Sequence, residues 1–216
     1  MSELRLGDTR DWTGNKKSTF TCLGASNHVE HDRAEHDYYA TDPLAAQLLL
    51  EVEPELDNIW ECACGEGHLV NVFRKNNKSG LASDLIDRGL IGAYQADFLK
   101  FEDGVHSINL YSDGLWHGDI VTNPPYKFAL EFVKKAISFV PNGRKVCMFL
   151  KLTFLEGKAR KEFFKQYPPK TVYVCSSRIK CAINGDFDSI GSSATAYAWF
   201  VWEKGYTGDT VVKWIN

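Results

Sequence analysis

The chain has 216 residues, is 44% hydrophobic and 25% charged, and carries a formal net charge of −3. This length builds one large domain or two small ones, and the composition excludes a disordered chain. Near-neutral charge leaves any grip on a polyanion to a local basic face, and no apolar run spans a bilayer. The opening MSELRLGDTRDW lacks the apolar stretch of a secretory signal, and six cysteines show no paired spacing. A reducing cytoplasm with free, buried thiols is expected.

Residues 1–37 are polar, without periodicity, and read as an N-terminal arm; residues 38–216 read as one catalytic domain. Asp42-Pro43 opens a helix, with an acidic cap and a proline in the first turn ahead of LAAQLLLEVE. NIWECACGEG is a strand entering a glycine turn, and HLVNVFRKNN continues as an amphipathic helix. A second strand ends at Asp84 and a third near Asp97; residues 99–117 read as a polar loop. A strand over 118–122, the turn Asn123-Pro124-Pro125-Tyr126 and a helix over 128–140 follow. RKVCMFLK is a strand, FLEGKARKEFFKQY a helix, and KTVYVCSS and ATAYAWFVWEK are late strands around a glycine- and serine-rich loop at 182–193. Alternating strands and helices predict a doubly wound α/β sheet, and the two late strands predict an antiparallel edge. In such sheets ligands bind at the carboxyl ends of the strands.

The unusual residues fall at those ends. Glycines after the first strand let the backbone approach a ligand closely, although a glycine turn there is also ordinary structure. The loop lacks G-x-G-x-x-G, and Glu66 at the helix start would repel a pyrophosphate, so a ligand without phosphates fits better. Asp84 is placed to take both ribose hydroxyls of a nucleoside, against the plainer reading of a turn cap. Asp97 can accept an adenine amino group while Phe98 lies against the base; the plainer reading of Phe98 is core. Carboxylates at three successive strand ends describe a nucleoside site without a phosphate pocket, and S-adenosylmethionine is such a ligand.

Asn123-Pro124-Pro125-Tyr126 suits the other half of a reaction. An exocyclic amino group on a base is a poor nucleophile because its lone pair is delocalised into the ring. The Asn123 amide oxygen and the Pro124 carbonyl can accept its two hydrogens and aim the lone pair at a methyl sulfonium. Two prolines hold those acceptors rigidly. Tyr126 offers a flat face for the target ring.

On these residues the chain resembles S-adenosylmethionine-dependent amino-methyltransferases, and among them the small DNA adenine N6-methyltransferases of phages and mobile elements. The resemblance covers roughly residues 38–204. Asn123-Pro124-Pro125-Tyr126 matches that family's catalytic tetrapeptide. Glu61-Cys-Ala-Cys-Gly-Glu-Gly67 is similar to its cofactor loop, with Cys62 in place of the usual proline and Glu66 in place of a small polar residue. This implies cofactor contacts from Glu61, Ala63, Gly65 and Gly67. YYATDP, Tyr38 to Pro43, resembles the segment that touches the methionine carboxylate, which implies roles for Tyr39 and Thr41. The resemblance places Phe128 on the substrate side. The motif order is similar to the gamma arrangement and implies a Rossmann-like, seven-stranded sheet with an antiparallel C-terminal hairpin, the class I methyltransferase fold.

Relatives with strict sequence preference carry a separate target-recognition domain, and no length for one is expected after Trp202. Loose specificity on DNA, with grip from lysines and arginines, follows as an expectation. Phe187, in the late loop, is expected to form the second wall of the base pocket opposite Tyr126. The same tetrapeptide resembles that of enzymes acting on RNA base amines or on glutamine amides of proteins; a non-catalytic nucleic-acid module is the third reading. Cys62, Cys64 and His68 fit no common zinc spacing, so no metal is expected. Trp199 and Trp202 are expected in the packing.

Overall fold

The computed structural model describes residues 39–102, 112–183 and 195–216. The readings made for residues 1–37, for Phe187 and for most of the late loop fall outside the described residues.

Strand β1 (Tyr39–Thr41) leads into α1 (Pro43–Val52). Asp42 caps that helix by accepting the Leu44 N–H at 2.9 Å, and Ala45, Ala46, Leu48 and Leu49 form its buried stripe. β2 (Ile59–Glu61), α2 (His68–Lys75), β3 (Ser79–Asp84) and β4 (Tyr94–Gln95) follow. The second half contains β5 (Ile120–Thr122), α3 (Ala129–Phe139), β6 (Lys145–Lys151), α4 (Lys158–Gln166) and β7 (Thr171–Cys175). β8 (Cys181–Ile183), β9 (Tyr197–Glu203) and β10 (Val211–Ile215) close the chain.

The main sheet has the order β10-β7-β9-β6-β5-β2-β3-β4. Its strands are parallel except β9, which runs against both β6 and β7. The expected seven strands are therefore eight. β10 adds a parallel strand outside β7, pairing Val211 with Thr171 through Ile215 with Cys175. The expected antiparallel partners, β7 and β9, do pair, but β9 lies inside the sheet and β10 takes the edge.

Near-continuous apolar strands require cover on both faces, and they have it. Trp60, Phe132, Phe163, Phe200 and Trp202 pack on the side of α3 and α4. Leu49, Ile59, Phe73, Phe149 and Trp199 pack on the side of α1 and α2. Alternation along β9 sends Trp199 to one layer and Trp202 to the other, each with its indole N–H on a carbonyl, of Ala45 at 2.8 Å and of Tyr167 at 3.1 Å.

β2 and β5 are neighbours, joined at Trp60 and Ile120, and the sheet grows away from them in opposite directions. This is the point where strand order reverses, so the loops leaving β2 and β5 diverge there and open a crevice. β1 and β8 form a separate two-stranded antiparallel ribbon.

Candidate active site

Gly65 and Gly67, after β2, both hold positive φ, at 53° and 88°. A β-carbon at Gly67 would also sit 2.5 Å from Leu90 Cδ1, a side-chain end that can swing away, so it is the backbone angle that requires glycine. Asp84, at the end of β3, fastens this loop: one carboxylate oxygen accepts the Gly65 N–H at 2.8 Å and the other accepts the Ile86 N–H at 3.0 Å. Each oxygen keeps a second acceptor position. Asp84, Gly65, Leu90, Tyr94 and Gln95 line a narrow cleft.

Asp97 and Phe98 have local partners in the structure. Asp97 caps a single 3-10 turn, accepting the Leu99 N–H at 3.1 Å and pairing with Lys100 at 3.3 Å. Phe98 is 2% exposed, its ring T-shaped to Trp60 and tilted against Phe132, the core placement of its plainer reading.

Glu61 ends β2 with 1% exposure, and neither carboxylate oxygen has a hydrogen-bond partner. Burial makes it a weaker acid, its pKa pushed up to about 8. The Thr122 hydroxyl and the Ala63 N–H oppose that shift, yet neither closes a well-formed hydrogen bond to it. The Thr122 hydroxyl, at the end of adjacent β5, is itself buried and unpartnered. Cys62 and Cys64 are buried thiols whose pKa values are pushed up by burial and then by the Glu61 charge, which disfavours the thiolate that a metal would need.

The tetrapeptide leaves β5 with Pro124 buried and Asn123, Pro125 and Tyr126 half-buried. Asn123 Nδ2 donates to the Thr41 hydroxyl at 2.7 Å and to the Tyr39 carbonyl at 3.4 Å. Its Oδ1 is buried and has no partner. Tyr39 and Thr41, expected at the cofactor, are thus brought against Asn123. The Tyr126 ring is tilted between Tyr39 and Tyr197, at 6.1 and 6.0 Å, with the Lys151 ammonium 4.9 Å from its centroid. Its hydroxyl donates to Cys181 Sγ at 3.6 Å, and burial, then the Cys181 charge, push its pKa up. The Tyr126 hydroxyl therefore stays protonated near neutral pH, and its ring is the part left to meet a ligand. Phe128 is 42% exposed at the end of a 3-10 turn, under Lys127.

Thr122, Lys151, Cys181 and Tyr197 did not stand out in the sequence. Thr122 had a local signal, since it directly precedes the tetrapeptide at a strand end. Cys181 reaches Tyr126 only through the pairing of β8 with β1, which no local pattern announces. Among the described residues, no cluster of three metal-ligating side chains occurs and no helix is long and apolar enough to cross a membrane.

No protein-family model matches this sequence, and no curated protein matches it. Solved structures do share its architecture. A Listeria monocytogenes protein described as a class I S-adenosylmethionine-dependent methyltransferase superposes with a TM-score of 0.51 at 13% identity, over 92% of this chain and 70% of that one. The fold is that of the class I methyltransferases. A chain of a type I restriction–modification system gives a TM-score of 0.53 at 15% identity, over 93% of this chain and 48% of that one. The M protein of the type I restriction enzyme EcoKI gives 0.50 at 16% identity, over 77% and 44%. The chain thus spans less than half of each restriction–modification protein. At these identities the likeness is one of fold.

Proposed function

We propose that this chain is an S-adenosylmethionine-dependent amino-methyltransferase acting on the adenine N6 of DNA. The observation that carries the reading is Asn123: its NH2 is held from behind while its Oδ1 is buried, unpartnered and next to Pro124. A buried acceptor left open costs about 1–3 kcal/mol, and such a cost persists where a ligand meets it.

The residues present fit the cofactor. Glu61 offers two buried acceptor oxygens with no protein partner, which suits the ammonium of a methionine moiety. The spare acceptor positions of Asp84 suit ribose hydroxyls, and Gly65 and Gly67 allow close backbone approach. When bound, S-adenosylmethionine supplies an electrophilic methyl group on a sulfonium.

The chain's own residues handle the amine. Asn123 Oδ1 and the Pro124 carbonyl accept its two N–H groups, draw the nitrogen out of conjugation and fix the direction of its lone pair. A hydroxyl, with one hydrogen, would leave one acceptor empty, so the pair selects primary amines and amides. The Tyr126 ring and the exposed Phe128 favour a planar ring among these. That two proteins sharing the fold belong to type I restriction–modification systems supports DNA. A base inside a duplex hides its amino group, so the target must be swung out or unpaired.

Labelled methyl from S-adenosylmethionine, offered separately to DNA, RNA and protein, tests the reading. Incorporation as N6-methyladenine in DNA is expected; label confined to RNA or to protein amides overturns the substrate.

A further inference from the structure

We infer that Thr41 is a positioning residue for methyl transfer: it anchors the Asn123 amide so that Oδ1 faces the substrate amine. The inference rests on the amino-methyltransferase reading of the site.

An asparagine amide is nearly symmetrical in shape, so only its partners decide which end points where. Asn123 ends β5 in the main sheet. Both partners of its Nδ2 come from β1, which among the described residues pairs with β8 alone, in the register Tyr39 to Ile183 and Thr41 to Cys181. The Tyr39 carbonyl can only accept, so it requires NH2, not oxygen, on that side. At 3.4 Å it is a long contact. The Thr41 hydroxyl, on a residue 3% exposed, provides the short one at 2.7 Å.

A flipped amide would set two oxygens against each other at Tyr39 and aim a donor at the substrate's own N–H groups. The Tyr39 carbonyl sets which end points where, and the Thr41 hydroxyl holds the amide against it; without that hydroxyl one long bond is all that fixes the amide. The ribbon also carries Cys181, whose sulfur meets the Tyr126 hydroxyl. A two-stranded element outside the main sheet therefore touches both polar side chains of the tetrapeptide.

The family resemblance implied a different duty for Thr41, at the methionine carboxylate. The two duties part experimentally in Thr41→Val and Thr41→Ser. Positioning predicts that Thr41→Val lowers kcat for methylation of an adenine-containing DNA duplex by about 10²-fold, the scale of a misplaced catalytic group. It predicts that S-adenosylmethionine affinity, by calorimetry, is unchanged, and that Thr41→Ser restores most of the rate.

Side-chain amide proton exchange of Asn123, followed by NMR, supplies a readout independent of turnover: faster in Thr41→Val, as wild type in Thr41→Ser. Weakened cofactor binding with unchanged kcat in Thr41→Val would overturn the positioning role, and so would equal losses in both variants. If the wild type transfers methyl to no DNA, RNA or protein, the functional reading fails by itself. The exchange rates then still decide the clamp, and equal rates in wild type and Thr41→Val overturn it.

Discussion

Asp119, just ahead of β5, and Glu61, at the end of β2, are carboxylates with 3% and 1% exposure, yet their surroundings differ. Asp119 accepts the N–H groups of Asp57 and Lys145, both at 2.8 Å, with Arg144 at 3.9 Å. Beside it Lys145 bridges Glu53 and Glu55, and the Tyr173 hydroxyl donates to Glu53 at 2.7 Å. Glu61 has no partner at either oxygen, and the nearby Thr122 hydroxyl and Asn123 Oδ1 are equally open. The amino ends of the strands satisfy their buried charge from within, whereas the carboxyl ends leave theirs for something that binds. Burial alone does not mark a functional residue; burial without partners does.

The contrast breaks most visibly at Lys145. Lys145→Ala leaves Glu53 buried and uncompensated, so it should cost about 3–5 kcal/mol of stability in urea unfolding. The paired end is scaffold on this account, and S-adenosylmethionine affinity in the protein that remains folded should hold. A loss under about 1 kcal/mol would mean that the amino-end network is not a structural brace.

Asn123→Ala tests the open end. It removes the open acceptor together with the Nδ2 bonds to Thr41 and Tyr39, so stability should fall by about 1–3 kcal/mol while turnover of the protein that remains folded falls by about 10²-fold or more. Cofactor binding should persist. Turnover at the wild-type rate would remove Asn123 from the chemistry.

Glu61→Gln sharpens the comparison through pH. The Glu61 carboxyl titrates at about 8 in the folded chain against an ordinary 4.5. Between those values the native state holds a proton that the unfolded chain has released. The group's contribution is therefore full below pH 4.5 and is lost as pH rises toward 8. Glu61→Gln should gain stability relative to wild type across that window, by up to about 1.4 kcal/mol per pH unit, while losing affinity for S-adenosylmethionine. A difference profile that is flat with pH would mean that Glu61 is ionised and paired like Asp119.

Much of this was readable from residues alone, for physical reasons. Asp42-Pro43, the glycine loop and the Asn-Pro-Pro-Tyr turn carry their meaning locally, in caps, dihedral limits and fixed acceptors. Asp84 was legible because it terminates a strand one crossover from the glycines, and it does fasten that loop. Asp97-Phe98 was legible in position, and the same dipeptide suits a base or a core; in the structure the Phe98 ring packs T-shaped to Trp60. The β1–β8 ribbon could not be read: two three-residue strands pair across about 140 residues of chain, with no alternation of their own. The duties of Thr41 and Cys181 went unread with it. β10 was missed although VVKWI has strand composition, because its edge position leaves Val211, Val212 and Trp214 exposed and gives no burial pattern to anticipate.

The smallest effect belongs to Tyr126, where ring and hydroxyl can be separated. Its hydroxyl donates to a cysteine sulfur at 3.6 Å, a weak acceptor in a buried place. Its ring faces Lys151 and neighbours the Asn123 acceptor, so stacking is the work it can do. Tyr126→Ala should weaken productive target binding by about 1–3 kcal/mol, read in KM for substrate. Tyr126→Phe keeps the ring face and the contact with the Lys151 ammonium, which depends on the π cloud and not on the hydroxyl. It should change KM by less than about threefold, below the ~1 kcal/mol of an ordinary hydrogen bond. Equal damage from both substitutions would assign the role to the hydroxyl. Tyr126 would then be part of the paired scaffold through Cys181, on the closed side of the contrast.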